Sequence, residues 1–189
     1  MNTNPFISTE LKAAPLHLGK NYTAIFLDIE GVIVSHRTII AHSDLPNGIH
    51  YHGGSENWTT FIDTAALGLI YRLAKDFSAK IVLTSTLRFK RGIVNDLIAL
   101  RPSYVSSEEA IAMFSLGVTE RLGMREDEIT IFAKENGVTK YVVIDDRTLS
   151  IGNFVNVNQS VGFSYDDYQD SKVYLLSEGE VAKYESIFL

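Results

Sequence analysis

Three apolar runs in the chain are each followed by polar side chains, two by carboxylates that can bind a metal ion and one by hydroxyls. "AIFL" precedes two carboxylates, "KIVL" precedes three hydroxyls, and "YVVI" precedes two more carboxylates. In chain order these residues are Asp28 and Glu30, then Thr84, Ser85 and Thr86, then Asp145 and Asp146. Carboxylates that lie together repel one another unless a cation lies among them. Oxygen ligands of this kind suit Mg²⁺, which binds few carboxylates and keeps waters and phosphate oxygens.

These side chains meet only if the apolar runs are neighbouring strands of one parallel sheet. Each run is short and continuously apolar, as expected for a strand that is buried on both faces. The sequence predicts strands over residues 24–27, 80–85 and 140–146, and a fourth strand in "NFVNVN". In a parallel sheet covered by helices, ligands bind beyond the carboxyl ends of the strands. We therefore expect one site at that edge.

Helices are expected between the strands. Apolar residues recur every four positions over residues 60–77, which predicts a helix with one apolar face. Further helices are predicted over 91–100, in "SSEEAIAMFSL", in "EDEITIFAKENG" and over 165–184. Ser106 with Glu109, and Ser164 with Asp167, have the spacing of capping boxes. The alternation of strands and helices predicts a three-layer, Rossmann-like α/β fold with a central parallel sheet.

The composition limits the class of protein. The chain has 189 residues, 46% of them hydrophobic, and we expect one domain over residues 1–189 with an irregular lead-in over 1–20. It has no cysteine, which excludes disulfides, thiolate zinc sites and cysteine nucleophiles. We see neither an apolar run of about 18 residues nor a signal-peptide pattern, and expect a cytoplasmic protein with no membrane partner. The net charge of -6 argues against general attraction to nucleic acids.

The three strand ends, taken in order, resemble motifs of the haloacid dehalogenase (HAD) superfamily. "FLDIEGVI" is similar to the first motif, "IVLTS" to the second and "VVIDD" to the fourth, and the matches span residues 24–146. The likeness is greatest to small phosphatase-like HAD domains, in which an Arg follows the second motif and a basic residue precedes an E-I pair. Here "LTSTLR" and "REDEI" match those features. Similar domains occur in nucleic-acid repair proteins and phage proteins.

The resemblance implies a Mg²⁺-dependent phosphohydrolase that acts on phosphomonoesters. Asp28 would be the nucleophile and would form an aspartyl-phosphate. Thr84, or Ser85 if the strand runs one residue longer, would bind a phosphoryl oxygen. Arg125 of "REDEI" would offset the negative charge of the nucleophile and the phosphate.

The resemblance also implies a metal site. Asp145 and Asp146 would hold Mg²⁺ together with Asp28 and the backbone carbonyl of Glu30. The metal would bridge the nucleophile and the phosphate and lower their repulsion. Gly31 would allow the chain to turn sharply after the first strand.

Glu30 departs from the family pattern, which usually has Asp at this position as general acid and base. Glutamate has a similar pKa but is longer by one methylene group. Three alternatives follow: a phosphatase adapted to Glu, a slow phosphatase that accumulates phospho-enzyme, or a non-hydrolytic module that binds a phosphorylated ligand or a protein.

The region over residues 35–58 is expected to be a loop or a small cap insertion, too short for a large cap domain. An open site can accept metabolites, nucleotides, nucleic-acid ends or phosphoproteins as phosphorylated substrates. His50, Tyr51, His52 and Trp58 are expected to line its entrance, since loops over a rigid scaffold commonly carry specificity. Arg88 would either bind a substrate phosphate or solvate a loop. The sequence leaves the oligomeric state open.

Overall fold

The computed structural model describes residues 21–42, 58–177 and 180. Within these ranges the strands are β1 (Tyr22–Leu27), β2 (Lys80–Leu83), β3 (Val138–Asp145) and β4 (Phe154–Asn156). The α-helices are α1 (His36–His42), α2 (Thr64–Asp76), α3 (Ile93–Ala99), α4 (Ser107–Met113), α5 (Arg125–Glu135) and α6 (Tyr165–Leu175). Two 3₁₀ helices span Trp58–Phe61 and Thr86–Phe89.

The strands form one parallel sheet in the order β2-β1-β3-β4. The register pairs Leu27 of β1 with Leu83 of β2 on one side and with Ile144 of β3 on the other. The predicted fourth strand is confirmed as β4, which lies beside β3. The three strand ends that carry chemistry therefore lie level with one another at the carboxyl edge of the sheet.

Helices cover both faces of the sheet, which confirms the three-layer, Rossmann-like α/β fold. Ile25 and Leu27 belong to an apolar cluster that α2, α3, α4 and α6 share. Ala24 and Phe26 point to the opposite face and pack in a second cluster with residues of α5. The ring of Phe132 on α5 meets Phe26 edge-on, with 5.9 Å between the ring centroids. The strand β1 is thus buried on both faces, as its apolar sequence predicted.

The capping-box spacings in the sequence correctly predicted where two helices begin. Ser106 and Glu109 form a capping box at the start of α4, and Ser164 and Asp167 form another at the start of α6. In each box the serine side chain accepts a hydrogen bond from a backbone N–H that the helix leaves unpaired. The last predicted helix over 165–184 is confirmed as far as Leu175, where α6 ends.

The predicted helix over 60–77 is divided in two. Asp63 adopts an extended backbone conformation, with φ of -72° and ψ of 103°, and separates the 3₁₀ helix Trp58–Phe61 from α2. Its carboxylate accepts hydrogen bonds from the backbone N–H groups of Ala65 and Ala66. Asp63 is thus the N-cap of α2. The apolar periodicity continues through this position although the helix is interrupted there.

The expected loop over 35–58 contains α1. Ser35 and Thr38 bond to each other at its start: the Ser35 N–H donates to Oγ1 of Thr38 at 3.1 Å, and that hydroxyl donates to the Ser35 carbonyl at 2.9 Å. The polar composition of this region concealed the helix start. The expected positions of His50, Tyr51 and His52, and of the lead-in over 1–20, lie outside the described residues.

Candidate active site

Asp28, Thr84 and Asp145 lie side by side where β1, β2 and β3 end. The backbone N–H of Asp28 donates to the carbonyl of Ile144 at 3.0 Å, and the N–H of Thr84 donates to the carbonyl of Leu27 at 2.9 Å. These bonds continue the sheet ladder one residue beyond the apolar runs. The structure therefore brings together the strand-end residues that the sequence predicted would meet.

Arg125 reaches this group from the first turn of α5. Its Nη1 lies 3.0 Å from Oδ1 of Asp28, 2.6 Å from Oδ2 of Asp145 and 3.3 Å from Oγ1 of Thr84. Arg125 is 7% exposed, so its charge is held inside the protein. Burial opposes that charge, but the carboxylates of Asp28 and Asp145 outweigh burial and raise the pKa of Arg125. The guanidinium thus stays positive beside the expected nucleophile.

Three carboxylates form a group that can hold a cation. One carboxylate oxygen from each of Asp28, Asp145 and Asp146 lies within 4.8 Å of the others. Burial, and then the charge of Asp145, raise the pKa of Asp28 to about 7, although Arg125 opposes this. Burial and Asp145 also raise the pKa of Asp146. One guanidinium against three carboxylates leaves negative charge unbalanced, and this oxygen donor set fits Mg²⁺.

Gly31 allows the loop after β1 to pass close to the acidic group. Its φ is +80°, a left-handed conformation that favours glycine. A Cβ at this position would lie 2.3 Å from both Cγ and Oδ2 of Asp146. The expected sharp turn at Gly31 is confirmed, and the structure adds a second reason for glycine: the space that a Cβ would need is filled by the carboxylate of Asp146.

A cleft of about 300 Å³ opens above these residues. Its lining includes four residues that the sequence singled out for chemistry: Asp28, Glu30, Arg125 and Asp146. It also includes Gly31, the strand-end hydroxyl residue Thr86, and five residues to which the sequence had assigned no role: Val34, His36, Ile39, Arg147 and Gln159. Most of the added residues lie near α1 or after β3, where no motif pointed to them.

Thr84 and Ser85 have different surroundings. Oγ1 of Thr84 faces Arg125 and the carboxylates, whereas Oγ of Ser85 accepts a hydrogen bond from the backbone N–H of Leu87 at 3.2 Å. Ser85 is thereby the N-cap of the 3₁₀ helix that follows β2. Because β2 ends at Leu83, Thr84 is the hydroxyl that lies among the acidic residues.

Glu30 lies in the cleft but outside the group of three carboxylates. Its Oε2 accepts a hydrogen bond from Oγ1 of Thr86 at 3.0 Å. Its backbone pairs with Val34, and the next residue, Gly31, donates its N–H to the Val34 carbonyl at 2.8 Å. The Glu30 side chain therefore lies in the same cleft as the expected nucleophile, while its role in proton transfer and metal ligation by its backbone carbonyl stay predictions.

The expectation that Arg88 binds substrate needs correction. Arg88 is buried and does not line the cleft. Its guanidinium donates to four backbone carbonyls, those of Thr84, Ser85, Thr119 and Glu120, and to the carboxylate of Glu128. The ion pair with Glu128 is 2.8 Å long and both side chains are almost fully buried. Arg88 therefore fixes the chain after β2 from inside the protein.

The expectation for Trp58 is also wrong. Trp58 is fully buried in the larger apolar cluster, and its Nε1–H donates to the carboxylate of Asp96 at 2.9 Å. It cannot line an entrance from that position. Of the histidines in the described ranges, His36 on α1 lines the cleft.

A family model described as "HAD domain in Swiss Army Knife RNA repair proteins" matches residues 24–168. The chain belongs to this family. The matched span contains all three carboxylates, Arg125 and every residue that lines the cleft of this HAD domain. No curated protein and no solved structure matches the chain. In the described part of the HAD domain, no helix has the length and apolar character needed to cross a membrane.

We predict that Gly31→Ala will disturb both folding and metal binding. Its Cβ would clash with Asp146, and alanine is strained at a φ of +80°. We expect the free energy of unfolding to fall by about 2 kcal/mol in urea denaturation, and Mg²⁺ binding measured by calorimetry to weaken about tenfold.

Gly68→Ala is the matched control, because Gly68 lies within α2 and a Cβ there would have no atom within 4 Å. This change should stabilise the protein by about 0.5–1 kcal/mol. Equal behaviour of the two alanine variants would contradict the proposed contact with Asp146.

We also predict a pH-dependent stability that Asp28 controls when metal is absent. The folded pKa of Asp28 is raised from 3.8 to about 7, so the folded protein holds this proton more tightly than the unfolded chain does. The resulting stability is complete below pH 3.8 and is lost as the pH rises through about 7. In EDTA, Asp28→Asn should therefore lose less unfolding free energy between about pH 5 and pH 8 than the natural protein.

Addition of Mg²⁺ at about pH 8 should raise the melting temperature of the natural protein more than that of Asp28→Asn, because the cation offsets the charge that the variant lacks. Asp170→Asn, on the exposed side of α6, serves as the control. If Asp170→Asn changed the pH dependence as much as Asp28→Asn does, the assignment to Asp28 would be wrong.

Proposed function

We propose that this HAD domain is a Mg²⁺-dependent phosphomonoesterase that acts through an aspartyl-phosphate on Asp28. The observation that supports this most strongly is the convergence on Asp28 of a buried guanidinium, a threonine hydroxyl and two further carboxylates. Such a group can attack phosphorus, bind the phosphoryl oxygens and hold a divalent cation. The cleft above Asp28 gives a phosphomonoester access to it.

The reaction has two steps. A carboxylate oxygen of Asp28 forms a bond to phosphorus, and the bond from phosphorus to the leaving-group oxygen breaks while Glu30 gives that oxygen a proton. Glu30 then takes a proton from a water molecule, whose oxygen attacks the phosphorus of the aspartyl-phosphate. The bond from phosphorus to the Asp28 oxygen breaks, so inorganic phosphate leaves and Asp28 is restored as a carboxylate. Proton transfer of this kind contributes about 10²–10⁴-fold to a rate.

The other residues balance the negative charge and hold the reacting groups in position. Arg125 keeps the Asp28 carboxylate in one position and offsets negative charge at the nucleophile. Thr84 offers its hydroxyl to a phosphoryl oxygen. Asp28, Asp145 and Asp146, with the backbone carbonyl of Glu30, would hold Mg²⁺, which lowers the repulsion between a carboxylate and a phosphate.

For the substrate class, we propose a terminal phosphate of RNA. The family is described by its occurrence in RNA repair proteins. The cleft is lined by His36 and Arg147, both exposed, which can meet phosphates that neighbour the reacting one. The net charge of -6 makes non-specific attraction between the protein and RNA weak, so recognition must come from contacts with the RNA end.

The nucleophile can be tested with a generic aryl phosphate. We expect the natural protein to release phosphate with Mg²⁺ and not with EDTA, and Asp28→Asn to lose activity by on the order of 10³-fold or more, because the reaction then lacks its nucleophile. Asp170→Asn should stay active.

Release that is equal in EDTA, or retained by Asp28→Asn, would refute the mechanism. Absence of release from any phosphomonoester, with binding of phosphate at the same site, would instead favour a non-hydrolytic phosphate-binding module.

The substrate class can be tested with oligoribonucleotides that carry a 3′- or 5′-terminal phosphate. We expect kcat/KM to exceed that for the aryl phosphate and to fall between about 50 mM and 200 mM salt, because binding of single strands releases counterions. Arg147→Gln should make the logarithmic salt slope shallower by about 0.7, the value for one lost phosphate contact. Equal kcat/KM for a mononucleotide and an oligonucleotide, independent of salt, would exclude RNA as the preferred substrate.

A further inference from the structure

We propose that Thr86 is the positioning residue for Glu30, and that it allows a glutamate to serve where the family usually has an aspartate. This inference rests on the proposed phosphatase function. Thr86 donates from Oγ1 to Oε2 of Glu30 at 3.0 Å, and both residues line the cleft with Asp28. We assign the other oxygen, Oε1, to proton transfer with the leaving group and with water.

The longer side chain explains why such a contact is needed. Glutamate has one more rotatable bond than aspartate, and its carboxylate at a solvent-filled cleft is distributed over several rotamers. An aspartate at the same backbone position would be held by its shorter length. A hydrogen bond to one carboxylate oxygen selects those rotamers of Glu30 that keep the group over the reacting atoms.

Thr86 is itself well placed to act as a fixed donor. It opens the 3₁₀ helix that follows β2, and Ser85 caps that helix. Nη1 of Arg88 binds the carbonyls of Thr84 and Ser85 from the interior, at 2.5 Å and 2.9 Å. Threonine is also stiff about χ1, because its Cβ is branched. The buried guanidinium therefore sets the position of a hydroxyl on the opposite, solvent-facing side of the loop.

Kinetics on a series of aryl phosphates tests the role of the hydroxyl. Thr86→Val keeps the shape and removes the donor, and we expect kcat/KM to fall about fivefold for leaving groups of high pKa. The loss should shrink for leaving groups of low pKa, because those need less help from a general acid. Thr86→Ser should recover most of the activity, and Thr130→Val, on the exposed face of α5, is the matched control.

A double-mutant cycle distinguishes positioning from direct contact with substrate. In a Glu30→Asp background the carboxylate is too short to share the Thr86 hydroxyl, so Thr86→Val should cost less than about twofold in kcat/KM. Equal losses in the natural background and in the Glu30→Asp background would mean that Thr86 acts on the substrate or on the fold, and would overturn the proposal. A loss that is the same for all leaving groups would overturn it as well.

Crystal structures of the natural protein and of Thr86→Val test the contact without any need for turnover. We expect one position of the Glu30 carboxylate in the natural protein and a displaced or divided carboxylate in the variant. An unchanged carboxylate in the variant would refute the positioning role. If the natural protein had no phosphatase activity but the carboxylate moved, the proposed function would fail and the role of Thr86 in holding Glu30 would stand.

Discussion

Arg125 is the positive charge that allows Asp28 and Asp145 to lie beside each other inside the protein. Two carboxylates at adjacent strand ends would otherwise repel, and burial would favour their protonated forms. The guanidinium comes from α5, which packs on the face of the sheet formed by Ala24 and Phe26. The apolar packing of α5 against the sheet therefore determines where the positive charge of Arg125 lies in the cleft.

A second buried ion pair lies one helical turn further along α5. Glu128 accepts from Arg88, and Arg88 in turn holds the backbone after β2. Removal of one partner of such a pair leaves a charge that cannot be solvated, which costs more than the pair itself contributes. The first turn of α5 is thus attached to the ends of β1, β2 and β3 at once, so the helix, the segment after β2 and the three carboxylates keep one relative position.

Much of the fold and the site could be predicted because their signals are local. Apolar runs identified the strands, the position of each carboxylate after its run placed it at one edge, and serine three residues before an acid marked helix starts. The wrong predictions, for Arg88 and Trp58, concern residues whose positions depend on distant parts of the chain. Arg88 looked like a surface cation because its partner Glu128 is 40 positions away. Trp58 looked like part of a polar loop because its place in the core depends on tertiary packing.

The contact between Arg125 and Asp28 joins residues that are 97 positions apart in the chain. A chain that has formed only β1 and β2 has Asp28 but neither the guanidinium of Arg125 nor the carboxylates of Asp145 and Asp146. Closing such a long loop is among the slower events of folding, since the chain entropy must be lost before the contact is gained. During synthesis, a chain that ends before Arg125 carries Asp28 without the guanidinium and the two carboxylates that lie beside it in the folded protein.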